Sequence, residues 1–222
     1  MIKIDILTLF PEVISPYLNE SIIKRAIKNN KAVVNLINFR DFSTLNNNQV
    51  DDTPYGGGSG MVLMCDPIFR AVESIRTDES HVILLTPSGK TYNQTKAMEF
   101  KNMKHIILIC GHYEGFDERI KSIVDEEVSI GDFVLTGGEL PAMIIVDSIL
   151  RLMDGVISEG SLESESFTDG LLDYPVYTKP RIYRGMEVPE VLLSGDHKKI
   201  AEYRQNERIR VTREKRKDLL NK

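Results

Sequence analysis

Several features that define common protein classes are missing from this sequence of 222 residues. Its two cysteines, Cys65 and Cys110, are too few for a disulfide framework, which favours a reducing environment. No apolar run reaches the ~18 residues of a membrane-spanning helix. The apolar start, MIKIDILTLFPEV, is interrupted by Asp5 and Glu12 and has no small-residue cleavage site, so it predicts a first strand. We therefore expect a cytoplasmic protein with no membrane partner.

Common catalytic and cofactor motifs are missing as well. No GxSxG occurs, and Cys110 ends an apolar run without an evident His–acid pair, which argues against nucleophilic catalysis. No GxGxxG follows a strand pattern, and VDDTPYGGGSGM (50–61) lacks the GK[ST] ending of a phosphate loop. We interpret that segment as a flexible or substrate-lining turn. The histidines are scattered, which argues against a zinc site built by the protein: His81, His105, His112 and His197.

Positive charge is scarce overall but concentrated at one end of the chain. The formal net charge is −5, yet residues 197–222 carry ten Lys/Arg against four Asp/Glu, a local charge of +6. The rest of the chain carries 18 Lys/Arg against 29 Asp/Glu, or −11. An acidic body with a basic end suggests a partner that carries phosphates, although a solvated charged helix would give the same pattern.

Short apolar runs alternate with helical patterns over the first 150 residues. Strands are predicted at IKIDILTLF, VVNLI (33–37), VILLT (82–86) and IILIC (106–110). Helices are predicted after Asn19 as cap, from the cap Asp66 and the first helical residue Pro67 to about Ile75, and from about Asn93 to Phe100. Strands that are apolar throughout, with a helix between them, indicate an α/β fold with a parallel sheet covered by helices on both faces.

Two turn-rich segments follow predicted strands of this sheet: TPSG (86–89) and GHYEG (111–115). Both are expected to open on one edge together with the strand-like glycine-containing run 129–138, which a helix follows. Ligands of such sheets bind beyond the carboxyl ends of the strands. In GHYEGFDERI, Glu114, Asp117 and Glu118 could serve a site, or Asp117 could simply cap a helix.

The composition changes near residue 158. SEGSLESES is polar, acidic and rich in serine, which is typical of a linker or mobile lid. We predict a catalytic domain at 1–158, a flexible linker or lid at 159–172, and a small basic helical domain at 173–222, with Asp196 capping its main helix.

The motifs, taken together, resemble the bacterial tRNA (guanine-N1)-methyltransferase family. GHYEGFDERI, IGDFVLTGGELPA, SFTDGLLDYPVYTKP and MEVPEVLLSGDH occur in that family's order, and VDDTPYGGGSGM matches an earlier block. The resemblance covers nearly the whole chain. It implies a knotted SPOUT fold, a deep trefoil that is an exception to the rule against knots. It also implies methylation of guanine 37 in tRNA and an obligate homodimer with active sites at the subunit interface.

The same resemblance implies S-adenosyl-L-methionine as methyl donor, held by three knot loops. Gly131, Gly137 and Gly138 would let the backbone approach the adenine and ribose. The residues expected to contact the cofactor are Thr86, Pro87, Gly89, Gly111, Tyr113, Glu114, Ser129, Ile130, Gly131, Asp132, Phe133, Val134, Leu135, Gly137, Gly138 and Pro141. Phe133 stands where the family often has tyrosine, and the family's histidine before VDD is missing.

Catalytic roles are carried over by the same motif matches. Glu165 stands where the family has its catalytic aspartate, which makes it the expected general base, with Asp169 as the alternative. Arg151 matches an arginine expected to stabilise negative charge on O6 of the guanine. Mg²⁺ assistance is possible, but the sequence has no dedicated cage for the ion.

The basic end of the chain resembles the tRNA-gripping domain, with Lys217 in place of a usual proline. The residues expected to contact the substrate are Asp173, Lys198, Arg204, Arg208 and Arg210. Two alternatives stay open: a knotted methyltransferase for another RNA site, or a catalytically dead RNA-binding homologue. The intact cofactor loops and Arg151 favour the enzyme.

Overall fold

The structure is a computed structural model that describes residues 1–158, residue 160 and residues 165–221. The chain divides into two compact units, Met1–Ile157 and Ser158–Lys222. Most of the predicted SEGSLESES linker, residues 159 and 161–164, lies outside the described residues. The first unit holds the parallel sheet and the second holds the basic helix.

The first unit is built on a five-stranded sheet. Its strands are β1 (Ile2–Thr8), β2 (Ala32–Asn38), β5 (Ser80–Thr91), β6 (His105–Cys110) and β7 (Glu126–Ser129). Their order is β2–β1–β6–β5–β7, and every neighbouring pair is parallel, which confirms the predicted parallel sheet. A separate antiparallel ribbon, β3 (Asp51–Asp52) with β4 (Val62–Leu63), flanks the glycine-rich segment.

Both faces of the sheet are buried under helices. The helices of this unit are α1 (Pro11–Leu18), α2 (Ser21–Lys28), α3 (Cys65–Ile75), α4 (Gln94–Lys101) and α5 (Glu139–Leu150). In β6, Ile106 and Leu108 join a core cluster with side chains of α1, α2, α4 and α5, whereas Ile107 and Ile109 join a second cluster with α3. Alternate residues of one strand thus reach two cores, as predicted for strands that are apolar throughout.

The helix starts in the first unit agree only partly with the prediction. α4 begins close to the predicted position, and Asn93 caps it by accepting a hydrogen bond from the Lys96 amide. Asp66 was predicted as a cap but lies inside α3, whose N-cap is Met64. Asn19 was also predicted as an N-cap, but it ends α1, and its side-chain amide donates to the Ser15 carbonyl. The α1 helix itself was not predicted, because two prolines in a short apolar run do not look helical.

Two segments near the sheet edge differ from the prediction. β5 does not end at Thr86: its register with β7 shifts between Leu85 and Lys90 and pairing then resumes. The TPSG residues therefore form a bulge within a strand. The run 129–138 is not strand-like, because β7 ends at Ser129 and the following residues form an irregular loop up to α5.

The second unit has a short hairpin and one long helix. The hairpin joins β8 (Ile182–Tyr183) to β9 (Met186–Glu187). The helix, α6 (His197–Lys215), carries most of the basic residues. The Asp196 side chain accepts a hydrogen bond from the Lys199 amide, which confirms the predicted N-cap.

Candidate active site

A cavity of about 260 Å³ lies beyond the carboxyl ends of the sheet strands in the first unit. It is formed where the bulge of β5, the GHYEG segment after β6 and the loop after β7 come together. The three segments that were predicted to meet at one edge do so here. All the predicted cofactor residues line this cavity except Gly89 and Asp132.

Six further residues line the cavity without having been predicted: Leu85, His112, Gly115, Phe116, Val128 and Thr136. Leu85 and Val128 are the residues paired across β5 and β7 just before the register shift. The others lie within the same three segments or, in the case of Phe116, directly after one, so their neighbours in sequence were a usable signal. Which individual side chains turn inward could not be read from the pattern of these irregular loops.

Three glycines at this edge of the sheet lie in close contact with other protein segments. A Cβ on Gly138 would lie 2.6 Å from the Cys110 Cα, and one on Gly89 would lie 2.4 Å from the Val128 nitrogen. A Cβ on Gly137 would lie 2.4 Å from the His112 Nε2. At Gly89 and Gly138 the missing side chain lets main chains approach one another, and the ligand contact expected of Gly131, Gly137 and Gly138 stays a prediction.

A buried polar network reaches the cavity through His112. Thr8, at the end of β1, donates a hydrogen bond of 2.6 Å to Glu139 Oε1, and both residues are buried. Glu139 Oε2 lies 3.2 Å from Nε2 of His112, which lines the cavity. The network ties the first residue of α5 to the GHYEG loop and to a central strand. Burial and the nearby Glu139 raise the pKa of the Cys110 thiol, so this cysteine is a poor nucleophile.

The glycine-rich segment lies against the rim of the cavity. The Glu114 amide donates to the Met61 carbonyl at 3.0 Å, and the Leu63 amide donates to the Gly115 carbonyl at 2.9 Å. A Cβ on Gly60 would lie 2.5 Å from the Glu114 side chain. The segment thus borders the cavity, and its interpretation as a substrate-lining turn stays a prediction. Asp117, beyond the rim, caps a short 3-10 helix (Glu118–Ile123), as the alternative interpretation expected.

The predicted catalytic residues lie in different units. Arg151 is the half-buried C-cap residue that follows Leu150, the last residue of α5, in the first unit. Glu165, which is half-buried, and Asp169, which is exposed, lie in the second unit. Arg208 makes a two-pronged ion pair with Asp169, with nitrogen–oxygen distances of 2.9 and 2.5 Å. This pairing lowers the pKa of the Asp169 carboxyl.

The predicted substrate residues differ in accessibility. Lys198 and Arg204 are exposed, and the Arg204 guanidinium lies 4.8 Å from the centre of the Tyr174 ring. Arg210 is exposed but paired with Glu207 and Glu214. Arg208 is buried, with 7% of its surface exposed. Asp173 is half-buried and accepts a hydrogen bond from the Tyr174 amide.

Within residues 1–158, 160 and 165–221, no three His, Cys, Asp or Glu side chains form a group that could hold a metal ion. None of the helices in this part of the chain is both long and apolar enough to cross a membrane.

Comparison with known proteins gives an end-to-end match. The family model described as "tRNA (Guanine-1)-methyltransferase TrmD" matches residues 2–222. A protein of Malacoplasma penetrans named tRNA (guanine-N(1)-)-methyltransferase is 57% identical over 220 residues, which are 99% of this chain and 97% of that protein. Proteins of the same name from Carboxydothermus hydrogenoformans and Staphylococcus aureus (strain Newman) are 54% and 52% identical. These two alignments cover 98% and 99% of this chain, and 87% and 91% of the respective relatives.

Proposed function

This chain belongs to the tRNA (guanine-1)-methyltransferase TrmD family, and we propose that it transfers a methyl group from S-adenosyl-L-methionine to N1 of guanine 37 in tRNA. The observation that carries the proposal is the cavity at the sheet edge. It unites the three segments expected to hold the cofactor, in a chain that matches the family along its full length. A tRNA substrate and the free thiols of Cys65 and Cys110 fit a cytoplasmic location.

The cavity suits a compact, bent cofactor. Its volume of about 260 Å³ is near the small end of the range for small-molecule sites. Ile130, Leu135 and Pro141 offer apolar surface for an adenine ring, and the loop backbones offer hydrogen-bonding groups. Glu114, at the rim, provides a carboxylate that favours the positive sulfonium. We propose that the segments lining the cavity form the trefoil knot of SPOUT methyltransferases.

The chemistry needs a base, a cationic donor and a methyl source. S-adenosyl-L-methionine supplies a methyl group on a positively charged sulfur, which keeps the bonding electron pair when the group leaves. Glu165 takes the proton from guanine N1, so that N1 can form the new bond to the methyl carbon. Arg151 faces O6 and stabilises the negative charge that develops there. Alignment of N1 with the methyl group is the remaining contribution of the protein.

The ion pair of Asp169 supports Glu165 as the base. A general base works best when its pKa lies close to the working pH. Because Arg208 lowers the pKa of Asp169 and occupies both carboxylate oxygens, Asp169 is a weak proton acceptor. Glu165 lies in the position of the family's base, so we assign the proton transfer to it.

The position of Arg151 supports a homodimer with shared active sites. α5 begins beside the cavity and ends at Leu150, so its 12 residues carry the chain about 18 Å away from its own cavity. Exposed apolar side chains lie along α5 and its neighbour α1: Val13, Tyr17, Leu140 and Ile144. We place this face at the subunit contact, with Arg151 acting in the partner's site.

The second unit provides the grip on tRNA. Lys198 and Arg204 are exposed on α6, where they can reach phosphates. Such contacts position the RNA without reading its sequence. Mg²⁺ assistance remains a prediction from the family, and the ion could be carried by the RNA.

The reaction is tested with unmodified tRNA and labelled S-adenosyl-L-methionine. A tRNA with guanine 37 should accept the methyl group at N1, whereas a matched tRNA with adenine 37 should not. Cofactor binding without transfer to either tRNA would overturn the proposed substrate and favour another RNA site or a non-catalytic role.

The base is tested in the same assay by two substitutions. Glu165→Gln should lower single-turnover methyl transfer by roughly 10²–10⁴-fold, because the amide cannot accept the N1 proton. Its affinity for S-adenosyl-L-methionine, measured by calorimetry, should not change. Full transfer by Glu165→Gln would remove Glu165 from the mechanism.

A further inference from the structure

Residues 165–173, which carry the proposed base, form a hooked segment held by its own hydrogen bonds. The Phe167 amide donates to the Leu171 carbonyl at 2.7 Å, and the Thr168 amide donates to the Glu165 carbonyl at 3.3 Å. The Asp173 amide donates to Ser166 Oγ at 2.9 Å. These bonds join both ends of the hook, so a constraint on its middle also constrains the backbone of Glu165.

The hook is fastened to α6 by two buried side chains. Arg208 bonds both oxygens of Asp169 and donates from Nε to the Leu172 carbonyl at 3.3 Å. Thr212, one turn along the helix, accepts a hydrogen bond of 2.9 Å from the Leu172 amide. Arg208 is 7% exposed and Thr212 is 0% exposed. Buried side chains of α6 therefore bind both the amide and the carbonyl of Leu172.

We propose that Arg208 is a positioning residue. Together with Thr212 it fixes the hook, residues 165–173 with the proposed base Glu165, to α6, the helix proposed to bind tRNA. We call this pair of contacts the lock. The inference rests on the proposed function, since it takes Glu165 as the base. It assigns Arg208 a role different from the phosphate contact expected from its charge. The Arg208 guanidinium is buried and already donates to Asp169 and Leu172, so it is poorly placed to bind a phosphate. Its planar, rigid set of donors is well suited to fixing the position of residues 165–173.

One consequence is that substrate grip and base placement share a single rigid element. Lys198 and Arg204 lie on α6 with Arg208, so the helix that binds the RNA backbone also sets where the Glu165 backbone lies. Placement errors of about 1 Å at a reacting group cost roughly 100-fold in rate. Loss of the lock should therefore lower the rate of chemistry more than the affinity for tRNA.

The test compares Arg208→Gln with Arg213→Gln. Arg213 is an exposed arginine on the same helix, so both variants lose one positive charge. Arg208→Gln should lower kcat at saturating tRNA by roughly 10- to 100-fold with little change in KM for tRNA. Arg213→Gln should change KM for tRNA and leave kcat close to that of the parent. Arg208→Lys, which keeps the charge but loses the fork, should fall between the parent and Arg208→Gln.

A double-mutant cycle separates positioning from proton transfer. If Asp169 serves only as the anchor for Arg208, Asp169→Asn should cost no further activity in an Arg208→Gln background. If Asp169 is itself the base, Asp169→Asn should cost its full amount in either background. Asp169→Asn alone leaves the buried Arg208 guanidinium without its carboxylate, and the double variant removes that charge. The double variant therefore remains informative where a single variant fails to fold, as judged by circular dichroism.

The outcomes distinguish this inference from the proposed function. Normal kcat in folded Arg208→Gln, together with inactive Glu165→Gln, would overturn the positioning role and leave the proposed base in place. Full activity of Glu165→Gln would overturn both. The pH dependence adds a check: loss of the lock should lower the plateau of the rate without shifting its midpoint, and a shifted midpoint would contradict it.

Discussion

Asp5, in β1, is a carboxylate with no exposed surface. Lys3 Nζ and His105 Nε2 each lie 2.8 Å from its Oδ2, and Asn35 donates to its Oδ1 at 2.7 Å. Burial raises the pKa of Asp5, but the hydrogen bonds from Lys3, Asn35 and His105 outweigh it and bring the pKa below its usual 3.8. At the scale of single residues, this charge stabilises the sheet while it stays ionised.

The stability of the protein should therefore depend on pH through Asp5. Because its folded pKa is below the unfolded value, the stabilisation is present above about pH 4 and is lost as the pH falls through the folded value. We expect Asp5→Asn to lower the free energy of unfolding by about 1–3 kcal/mol near pH 7, and by less as the pH falls below about 4.

Urea unfolding at a series of pH values measures this effect. Asp41→Asn removes an exposed carboxylate and serves as the matched control, which should unfold like the parent. An Asp5→Asn protein with the same stability and pH dependence as the parent would show that the buried network contributes nothing.

At the scale of elements, the close approach of α5 to the end of β6 shapes the cavity. The Gly138 amide donates to the Gly111 carbonyl at 2.9 Å, and Gly138 has an ordinary φ of −83°. Alanine could adopt this backbone conformation, so any cost of a substitution comes from space. The obstacle is main chain, since the Cys110 Cα would lie 2.6 Å from the added Cβ.

Gly138→Ala should push the start of α5 away from the GHYEG loop. We expect overpacking of this kind to lower the free energy of unfolding by about 1–3 kcal/mol. Affinity for S-adenosyl-L-methionine should fall as well, because two walls of the cavity separate. Urea unfolding and calorimetric titration measure the two effects.

Gly160→Ala is the control for this substitution, because a Cβ at Gly160 would meet no atom within 4 Å. It should match the parent in stability and cofactor affinity. Parent-like behaviour of Gly138→Ala would mean that the loops can separate at little cost.

At the scale of the whole molecule, charge is divided between an acidic body and a basic end. The local charge of +6 over residues 197–222 lies mostly on α6, in a chain with a net charge of −5. Such a division favours binding of a polyanion through one part of the surface. Binding of this kind depends on salt, because bound cations released from the RNA drive it.

The affinity for tRNA should thus fall with salt, with contributions from exposed α6 cations. Lys198→Gln and Arg204→Gln should each reduce the slope of log K against log salt by about one unit. Lys24→Gln, in α2 of the other unit, should leave the slope unchanged. Filter binding at several salt concentrations measures the slopes, and equal slopes for all three variants would place the RNA elsewhere.

The sequence by itself determined the parallel sheet, the three loops at its edge and the family. Apolar runs such as IILIC indicate strands that are buried on both faces. The motifs that identify the family are contiguous stretches of the chain and can be recognised without the fold. Local pattern also predicted the cap Asp196, whereas it misplaced Asn19 and Asp66, since cap residues occur in turns as well.

Only the tertiary structure decided which side chains pair across the chain. Thr8 and Glu139 are 131 residues apart, and Arg208 and Asp169 are 39 apart, separations over which no periodicity carries information. The positive charge of Arg208 predicted an RNA contact, but the fold buries the side chain and uses it internally. Gly138 likewise matched a ligand pattern, yet the main chain of Cys110 and Gly111 leaves no room for a Cβ there.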